Sequence, residues 1–277
     1  MKRFLSIFLI VIMLSSMVPC NAIDAYDLSS VGRFSGDLFS MVSSLSSVFD
    51  EGNVSNANNS SSVNNIAASG TTIQEMVDNA NPGDVIELED RVYNEWNIRV
   101  NKNVTIKAKA GANPIVNGNK KGSVFVLSSD AVINGITVIG GYLSGGAGAG
   151  VYNDGGSIIN CTIKNNVAEK PDFSSKKAYG AGVYNDGGSI INCTIRNNVA
   201  ERADGAGVYN NGGSIIDCII QNNEVSSPWY VRAENSGGGV YNNGGFVTNC
   251  MIMANTADRY GGGVYNNGVV TDCNISE

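Results

Sequence analysis

The sequence predicts an all-β solenoid, a parallel β-helix, and three observations point to it. A Gly-Val-Tyr-Asn box occurs five times, with tyrosines 32, 25, 32 and 24 residues apart, at Tyr152, Tyr184, Tyr209, Tyr241 and Tyr265. Apolar and polar residues alternate over 157–164, which is the period of a β-strand. Glycine and asparagine tracts punctuate these segments and favour turns. Repeats of this length stack into solenoids, because one unit cannot bury its own apolar side.

The first 22 residues have the features of a secretory signal peptide. Lys2 and Arg3 give a positive start, residues 4–18 carry no charge, and residues 20–22 offer small side chains for cleavage. The alternatives are a membrane anchor, which needs about 20 apolar residues, and lipidation at Cys20, which Pro19 disfavours. We expect 1–22 to be removed and the mature chain, without a membrane span, to lie at the cell surface or outside the cell.

Two further segments precede the repeats. Residues 23–51 are expected to form an amphipathic helical segment rather than a coiled coil. Its apolar residues recur with the spacing of one helix face, at Val31, Phe34, Leu38, Met41, Leu45 and Val48. Residues 52–70 contain 11 Asn or Ser among 19 and show no periodicity, which predicts a flexible linker. Glycosylation sequons at Asn53, Asn58 and Asn59 lie in this linker.

Each repeat is expected to hold two or three short strands joined by tight bends. In the first regular repeat, Ile159, Cys161 and Ile163 should point to one side, and Ile158, Asn160, Thr162 and Lys164 to the other. Stacked coils lie about 4.8 Å apart, so equivalent residues should form ladders. We expect about eight coils over 71–277, the coils of 84–147 being degenerate and those of 148–277 forming five regular repeats.

Three kinds of ladder are predicted from the repeats. One cysteine recurs at an inward position, at Cys161, Cys193, Cys218, Cys250 and Cys273. A disulfide framework is the alternative, but parallel side chains that project the same way oppose the required geometry, so free buried thiols are favoured. Asparagine pairs should stack at a bend and hydrogen-bond between coils. The tyrosine ladder is interpreted as structural, because stacked neighbours bury one another.

Residues 71–95 resemble the amino-terminal cap and first coil of pectate-lyase-like right-handed β-helix proteins. An apolar stripe at Ile73, Met76 and Val77 is followed by Pro-Gly-Asp and the strand-like 85–88. The resemblance implies a right-handed helix with a short capping helix at 71–83, which would cover the open strand edges. The Gly-Val-Tyr boxes are similar to repeats of adhesin-like surface proteins of methanogenic archaea and, more loosely, of polymorphic outer membrane proteins.

Composition excludes several kinds of chemistry. The chain has no histidine, which excludes histidine-dependent triads and histidine metal ligands. A net charge of -7 argues against nucleic acid as a partner. Asp154 and Asp186 are the one pair of strictly neighbouring ladder acids; they are interpreted as solvated turn residues rather than as a cation site. We therefore predict no catalytic residue, no metal and no cofactor.

Two inserted loops are the predicted binding site. The 32-residue repeats carry their extra residues at the same corner of alternate coils, at 169–179 and 226–236. Aromatic and basic side chains there are of the kinds that stack on sugars or anchor a protein contact. The predicted site residues are Phe173, Lys176, Lys177, Tyr179, Trp229, Tyr230 and Arg232. The alternative is that the aromatic rings fold back onto the coil.

The sequence thus predicts a non-catalytic, adhesin-like surface or secreted protein that binds carbohydrate or a cell-surface protein. One alternative is a carbohydrate-active β-helix enzyme, a lyase or a hydrolase. Another is a fragment of a longer adhesin, in which the last coil would leave an open edge for end-to-end self-association.

Overall fold

The structure, a computed structural model, describes residues 70–128, 130–171, 178–227 and 236–276. The predicted signal peptide 1–22, the helical segment 23–51 and the linker up to residue 69 lie outside these residues. In the described part of the chain, 30 short strands and one helix form a parallel β-helix. The prediction of an all-β, right-handed parallel β-helix with a short amino-terminal capping helix is confirmed.

The capping helix α1 spans Ile73–Asn79 and is shorter than the predicted 71–83. Thr72 begins it with a capping box, in which the Thr72 hydroxyl accepts from the Glu75 N–H at 3.1 Å and the Glu75 carboxylate accepts from the Thr72 N–H at 2.9 Å. The helix ends before Pro82: the backbone of Ala80 is already extended. A proline disfavours the helical conformation in the residue before it, here Asn81, so the helix cannot continue up to Pro82. The apolar face of α1, with Ile73, Met76 and Val77, is buried in the core.

Four parallel sheets run along the described coils, and their strands are numbered in chain order. Sheet 1 contains β1 (Val85–Leu88), β4 (Thr105–Ala108), β7 (Val132–Asn134), β12 (Ser157–Ile159), β17 (Ser189–Ile191), β21 (Ser214–Ile216), β25 (Phe246–Thr248) and β29 (Val269–Thr271). Sheet 2 contains β2 (Val92–Asn94), β5 (Ile115–Asn117), β8 (Thr137–Ile139), β13 (Thr162–Lys164), β18 (Thr194–Arg196), β22 (Ile219–Gln221), β26 (Met251–Met253) and β30 (Asn274–Ser276).

The other two large sheets complete the coil. Sheet 3 contains β9 (Tyr142–Ser144), β14 (Val167–Glu169), β19 (Val199–Glu201), β23 (Glu224–Ser226) and β27 (Thr256–Ala257). Sheet 4 contains β3 (Ile98–Val100), β6 (Phe125–Leu127), β11 (Val151–Asp154), β16 (Val183–Asp186), β20 (Val208–Asn211), β24 (Val240–Asn243) and β28 (Val264–Asn266). A two-stranded sheet joins β10 (Gly146–Ala147) to β15 (Ala178–Tyr179).

Strand pairing keeps equivalent residues of successive repeats in register. Val151 pairs with Val183, and Ile158 pairs with Ile190. Sheets 1 and 2 each hold eight strands, which matches the expected eight coils. The first regular repeat holds four strands, β11 to β14, so the prediction of two or three was wrong. Asn160 and Asn165 explain the difference: both adopt a positive φ, 53° and 56°, and each bends the chain between two strands.

The bend at Asn160 also corrects the predicted alternation over 157–164. Ile158 is fully buried and Ile159 is partly exposed, the reverse of the prediction. Cys161 and Ile163 point inward as predicted. The left-handed conformation of Asn160 turns the chain. Even-numbered Ile158 points inward before the bend, and odd-numbered Cys161 and Ile163 point inward after it.

The cysteine ladder lies inside the coil. Cys161, Cys193, Cys218 and Cys250 are buried and free, and Cys273 is free and partly buried, so the preference for free thiols is confirmed. The Cys161 N–H points at the Cys193 sulfur at 3.3 Å, and the Cys161 thiol lies 3.1 Å from the Ile159 carbonyl oxygen. The Cys193 sulfur therefore takes the N–H that follows the bend in the preceding coil, whereas the Ile159 carbonyl oxygen also accepts from the Gly135 N–H, at 3.0 Å, and has the thiol as a second partner.

Two asparagine ladders run inside the coil. The predicted one is confirmed: the side-chain amide of Asn166 donates to Asn198 at 3.0 Å, that of Asn198 to Asn223 at 3.0 Å, and that of Asn223 to Asn255 at 2.9 Å. The second ladder was not predicted and uses the asparagine of the Gly-Val-Tyr-Asn box. Its members are Asn153, Asn185, Asn210, Asn242 and Asn266.

Candidate functional site

Six of the seven predicted site residues lie outside the described residues: Phe173, Lys176, Lys177, Trp229, Tyr230 and Arg232. The chain that flanks them is described. The first loop follows β14 and the second follows β23, and these strands lie in sheet 3 with one strand between them. The first loop ends at β15 and the second at Ser236, each just before a strand of sheet 4. Both loops therefore leave from the corner between sheets 3 and 4.

Tyr179 is the predicted site residue that the structure describes. Its ring centroid lies 4.7 Å from that of Tyr209 and 6.3 Å from that of Tyr184. This aromatic ring therefore packs on the coil, as the alternative interpretation expected. It also joins the end of the first loop to the tyrosines of sheet 4.

The outer face of sheet 4 carries a continuous stack of tyrosines, which we call the tyrosine row. It consists of Tyr152, Tyr184, Tyr209, Tyr241 and Tyr265. Successive ring centroids are 5.2, 5.4, 4.7 and 4.8 Å apart, with interplanar angles of 15°, 15°, 5° and 23°. The residues on either side of each of the first four tyrosines point inward and are buried. The fold thus holds five stacked rings on one rigid face.

The tyrosine row is only half-buried, so the prediction of a purely structural ladder was incomplete. The first four tyrosines are partly exposed, and Tyr265 is 37% exposed. Stacking covers the ring faces between coils, which leaves ring edges and hydroxyl groups for the solvent. The row therefore presents phenol groups at intervals set by the spacing of the coils.

The hydroxyl groups of Tyr152, Tyr184, Tyr209 and Tyr241 stay protonated in neutral solution, because the pKa of each is raised. Burial raises the pKa of Tyr152, and the negative charges of Asp154 and Asp186 raise it further. Burial followed by the charge of Asp186 has the same effect on the pKa of Tyr184. Burial is also the largest cause of the raised pKa of Tyr209 and Tyr241. Each phenol can accordingly both donate and accept a hydrogen bond.

The acids beside the row belong to a ladder of turn residues. Asp154 and Asp186 are register neighbours, as predicted, but the prediction that they are the one such pair was wrong, because Glu169 is the register neighbour of Glu201 in sheet 3. The Asn211 amide donates to the Asp186 carboxylate at 2.9 Å, and the Asn243 amide donates to the Asn211 carbonyl oxygen at 2.8 Å. The Asn211 amide of the following coil thus bonds Asp186 in the same way that the Asn243 amide bonds the Asn211 side chain.

Other outward acids are engaged in the same way. The Tyr142 hydroxyl donates to Glu169 at 2.5 Å, and the Asn249 amide donates to Asp217 at 2.6 Å. Within 70–128, 130–171, 178–227 and 236–276, no three Asp, Glu, Cys or His side chains are grouped so that they could hold a metal ion. The same residues contain no helix with the length and apolar character needed to cross a membrane.

Comparison with known proteins gives distant structural likenesses. No model of a known protein family matches the chain, and no curated protein sequence matches it. Among solved structures, the chain is similar to the pectin methylesterase from Aspergillus niger in deglycosylated form, with 13% identity and a TM-score of 0.46 over 76% of this chain and 87% of that one. The penultimately deglycosylated form of that enzyme gives 14% identity and a TM-score of 0.45 over 77% and 88%.

The pectate lyase Pel9A is a further structural neighbour, with 14% identity and a TM-score of 0.41 over 74% of this chain and 72% of that one. The resemblance of residues 71–95 predicted a parallel β-helix, and the parallel sheets of the described residues have that architecture. At such identities the likeness concerns the fold alone. The resemblance to archaeal adhesin-like repeats stays a prediction.

Proposed function

We propose that this chain is an exported, adhesin-like β-helix protein that binds carbohydrate along its tyrosine row without chemically changing it. The observation that carries the proposal is the row itself: five stacked, partly exposed tyrosines on the outer face of sheet 4. Aromatic edges with hydroxyl groups are amphipathic contacts of the kind that recognition surfaces use.

The spacing of the tyrosine row suits a polymeric ligand. Ring centroids 4.7–5.4 Å apart give one hydroxyl group for each coil. This interval is close to the length of one sugar unit in an extended glycan chain. Because strand pairing fixes the interval, the protein loses little conformational entropy when a ligand lies along the row.

Charge favours a neutral glycan over a polyanion. The chain has a net charge of -7, and the exposed Asp154 stands beside the first tyrosine of the row. A polyanionic chain would meet repulsion there, whereas neutral hydroxyl groups would find acceptors. The same charge opposes nucleic acid as a partner.

The two loops are proposed as the border of the same surface. Tyr179 ends the first loop and contacts Tyr184 and Tyr209, so the loop joins the row directly. Ser236 ends the second loop and bridges to Tyr260, at the equivalent place two coils later. We assign a contribution to ligand binding at this border to Phe173, Lys176, Lys177, Trp229, Tyr230 and Arg232.

The proposal includes export through residues 1–22, and self-association through the last described coil. Among the described residues, strands β28, β29 and β30 each pair on one side, and Ile275 in β30 is 48% exposed. Unpaired strand edges with apolar surface favour strand addition. Velocity sedimentation tests the self-association: growth of larger species with concentration supports it, and a monomer at every concentration contradicts it.

Affinity electrophoresis tests the binding function. The purified protein is run through gels that contain a neutral polysaccharide, such as glucomannan or xylan, or the anionic polygalacturonate. We expect at least one neutral polymer to retard the protein. Tyr241→Ala should abolish the retardation, because it interrupts the row. Trp96→Ala is the matched control, because it also removes an aromatic ring but lies outside the row. Trp96 is 37% exposed, the same fraction as Tyr265 of the row.

Two results would contradict the proposal. Equal retardation of the wild type and Tyr241→Ala would remove the row as the binding surface. Release of reducing ends or of unsaturated products from any polymer would instead show a carbohydrate-active enzyme, the alternative that the sequence left open.

A further inference from the structure

The tyrosine row ends abruptly at its amino-terminal side. In the register of sheet 4, the position of Tyr152 is occupied by Val126 in the preceding coil and by Arg99 in the coil before that. One face of the Tyr152 ring packs against Tyr184, 5.2 Å away between centroids. On the other side the neighbouring residue in the ladder is a small aliphatic side chain instead of a ring. The stack of rings therefore ends at Tyr152. We call this end of the row, where Val126 follows Tyr152 in the ladder, the step.

A pocket of about 220 Å³ lies at this step. The side chains that line the pocket come from β3, β6 and β11, three successive strands of sheet 4, and from the residues that follow β3 and β6. They are Arg99, Asn101, Val126, Ser128, Tyr152 and Asp154. Sites for drug-sized ligands have volumes of about 300–1,000 Å³. The smaller volume here suits a single ring. The pocket combines an aromatic wall with a cation, an anion, an amide and a hydroxyl group.

The capping helix holds the far wall of the pocket. The Arg99 N–H donates to the Gln74 side-chain oxygen at 2.7 Å, and the Gln74 amide donates to the Arg99 carbonyl oxygen at 3.3 Å. Gln74 lies in α1, so the helix fixes the backbone from which Arg99 projects. Neither Arg99 nor Asp154 forms a salt bridge within the described residues. Both charged groups are therefore open to a ligand.

We infer that this pocket is an end-on subsite that binds one neutral sugar ring, the terminal unit of the glycan proposed to lie along the tyrosine row. This inference rests on the proposed function. The apolar face of the sugar lies toward the Tyr152 ring, the Arg99 guanidinium donates to ring hydroxyl groups, and the Asp154 carboxylate accepts from them.

Charge selects the neutral ring over an acidic one. Asp154 lines the pocket, and Asp186 is its register neighbour in the next coil. A sugar carboxylate would approach two negative charges and would have one cation, Arg99, to offset them. A hydroxyl-bearing ring can use the cation and the anion together, so the pocket should discriminate against uronic acids.

Saturation-transfer NMR on the whole protein tests the subsite with single sugars. The probes are methyl glycosides of glucose, mannose and galactose, with glucuronate as the acidic counterpart. We expect transfer to at least one neutral glycoside and at least about tenfold weaker binding of glucuronate. No transfer to any neutral glycoside, or equal binding of glucuronate, would overturn the inference.

Two variants change the pocket in different ways, one by removing a wall and one by filling the space. Tyr152→Ala removes the aromatic wall, whereas Val126→Tyr continues the row by one ring and fills the step. Each should weaken binding of the neutral glycoside at least about tenfold. Trp96→Ala is the matched control: Trp96 is an exposed aromatic residue outside both the tyrosine row and the pocket, so its loss should leave binding of the single sugar unchanged. Far-UV circular dichroism establishes that each variant is folded.

The outcomes separate this inference from the proposed function. If single-sugar binding persists in both Tyr152→Ala and Val126→Tyr, the pocket is not the subsite, whatever the gels show for polysaccharides. If the single sugar binds as expected but no polymer retards the wild type, the subsite stands and the extended binding surface fails. Loss of single-sugar binding in Trp96→Ala as well would refute the assignment to the pocket at Tyr152.

Discussion

The buried amide of Asn198 should be worth about 4 kcal/mol to the stability of the coil. Its oxygen accepts from the Asn166 backbone N–H at 3.1 Å and from the Asn166 side chain at 3.0 Å. Its nitrogen donates to the Ile163 carbonyl oxygen at 3.1 Å and to the Asn223 side chain at 3.0 Å. Asn198→Ala deletes these four bonds, each worth about 1 kcal/mol net, and leaves the partner groups buried.

Denaturant unfolding followed by circular dichroism measures this loss. A single domain has a free energy of unfolding of about 5–15 kcal/mol, so the midpoint for Asn198→Ala should fall steeply. Asn192→Gly is the matched control, because Asn192 sits at an exposed bend with a φ of 51° and donates one exposed bond, at 2.7 Å to Asn160. Glycine keeps that φ, so the control should lose at most about 1 kcal/mol. Equal losses in the two variants would refute the account of the buried ladder.

Three other outcomes follow from the same geometry. Burial raises the pKa of Tyr209 above its ordinary value of 10.0, so the stability that it contributes is complete below about pH 10 and is lost as pH rises toward the folded-state pKa. The denaturant midpoint should therefore fall between about pH 9 and about pH 11, and a Tyr209→Phe variant should show a smaller fall; equal falls would contradict this. Gly182→Ala should lower stability by about 3 kcal/mol in thermal unfolding, because a Cβ atom would overlap the Gly207 carbonyl oxygen. Gly187→Asn, where no atom lies within 4 Å, should lose less than about 1 kcal/mol, and similar losses would argue against close stacking. Iodoacetamide followed by peptide mass spectrometry should label the partly exposed Cys273 before Cys193, which is 2% exposed, and simultaneous labelling would show an open ladder.

The sequence repeat predicted stacking and register because these depend on identity between coils. When Tyr152, Tyr184 and Tyr209 recur in the same box, one parallel arrangement places all of them equivalently, and the structure has that arrangement. The free cysteines and the Asn166 ladder follow from the same reasoning. Ladders need only the period of the repeat, and the period is visible in the sequence.

The direction of side chains within one coil was harder to predict. Ile158 and Ile159 are both isoleucines, so hydrophobicity cannot tell which of them is buried. The answer depends on Asn160, whose left-handed conformation restarts the alternation. Asparagine adopts that conformation readily but does not require it, so the sequence did not determine which of the two isoleucines is buried. For the same reason the strands were counted as two or three instead of four.

The candidate site depends on features that one repeat does not show. The exposure of the tyrosine row depends on which side chains of other segments, such as Tyr179, pack against it. The pocket at Tyr152 arises where a regular repeat meets a degenerate one. Alignment of Val126 with Tyr152 would have revealed the missing ring, but the boundary between those coils was known only from the register of strands. The predicted loops, by contrast, were visible as insertions.

Hydroxyl-radical footprinting with mass spectrometry tests most directly whether the tyrosine row is the binding surface. The protein is oxidised alone and with the neutral polysaccharide that retards it most. Oxidation of Tyr184, Tyr241 and Tyr265 should fall on binding. Oxidation of Trp96 and Met251, which are exposed elsewhere on the coil, should stay the same. Protection of Trp96 or Met251 with no change along the row would contradict the account.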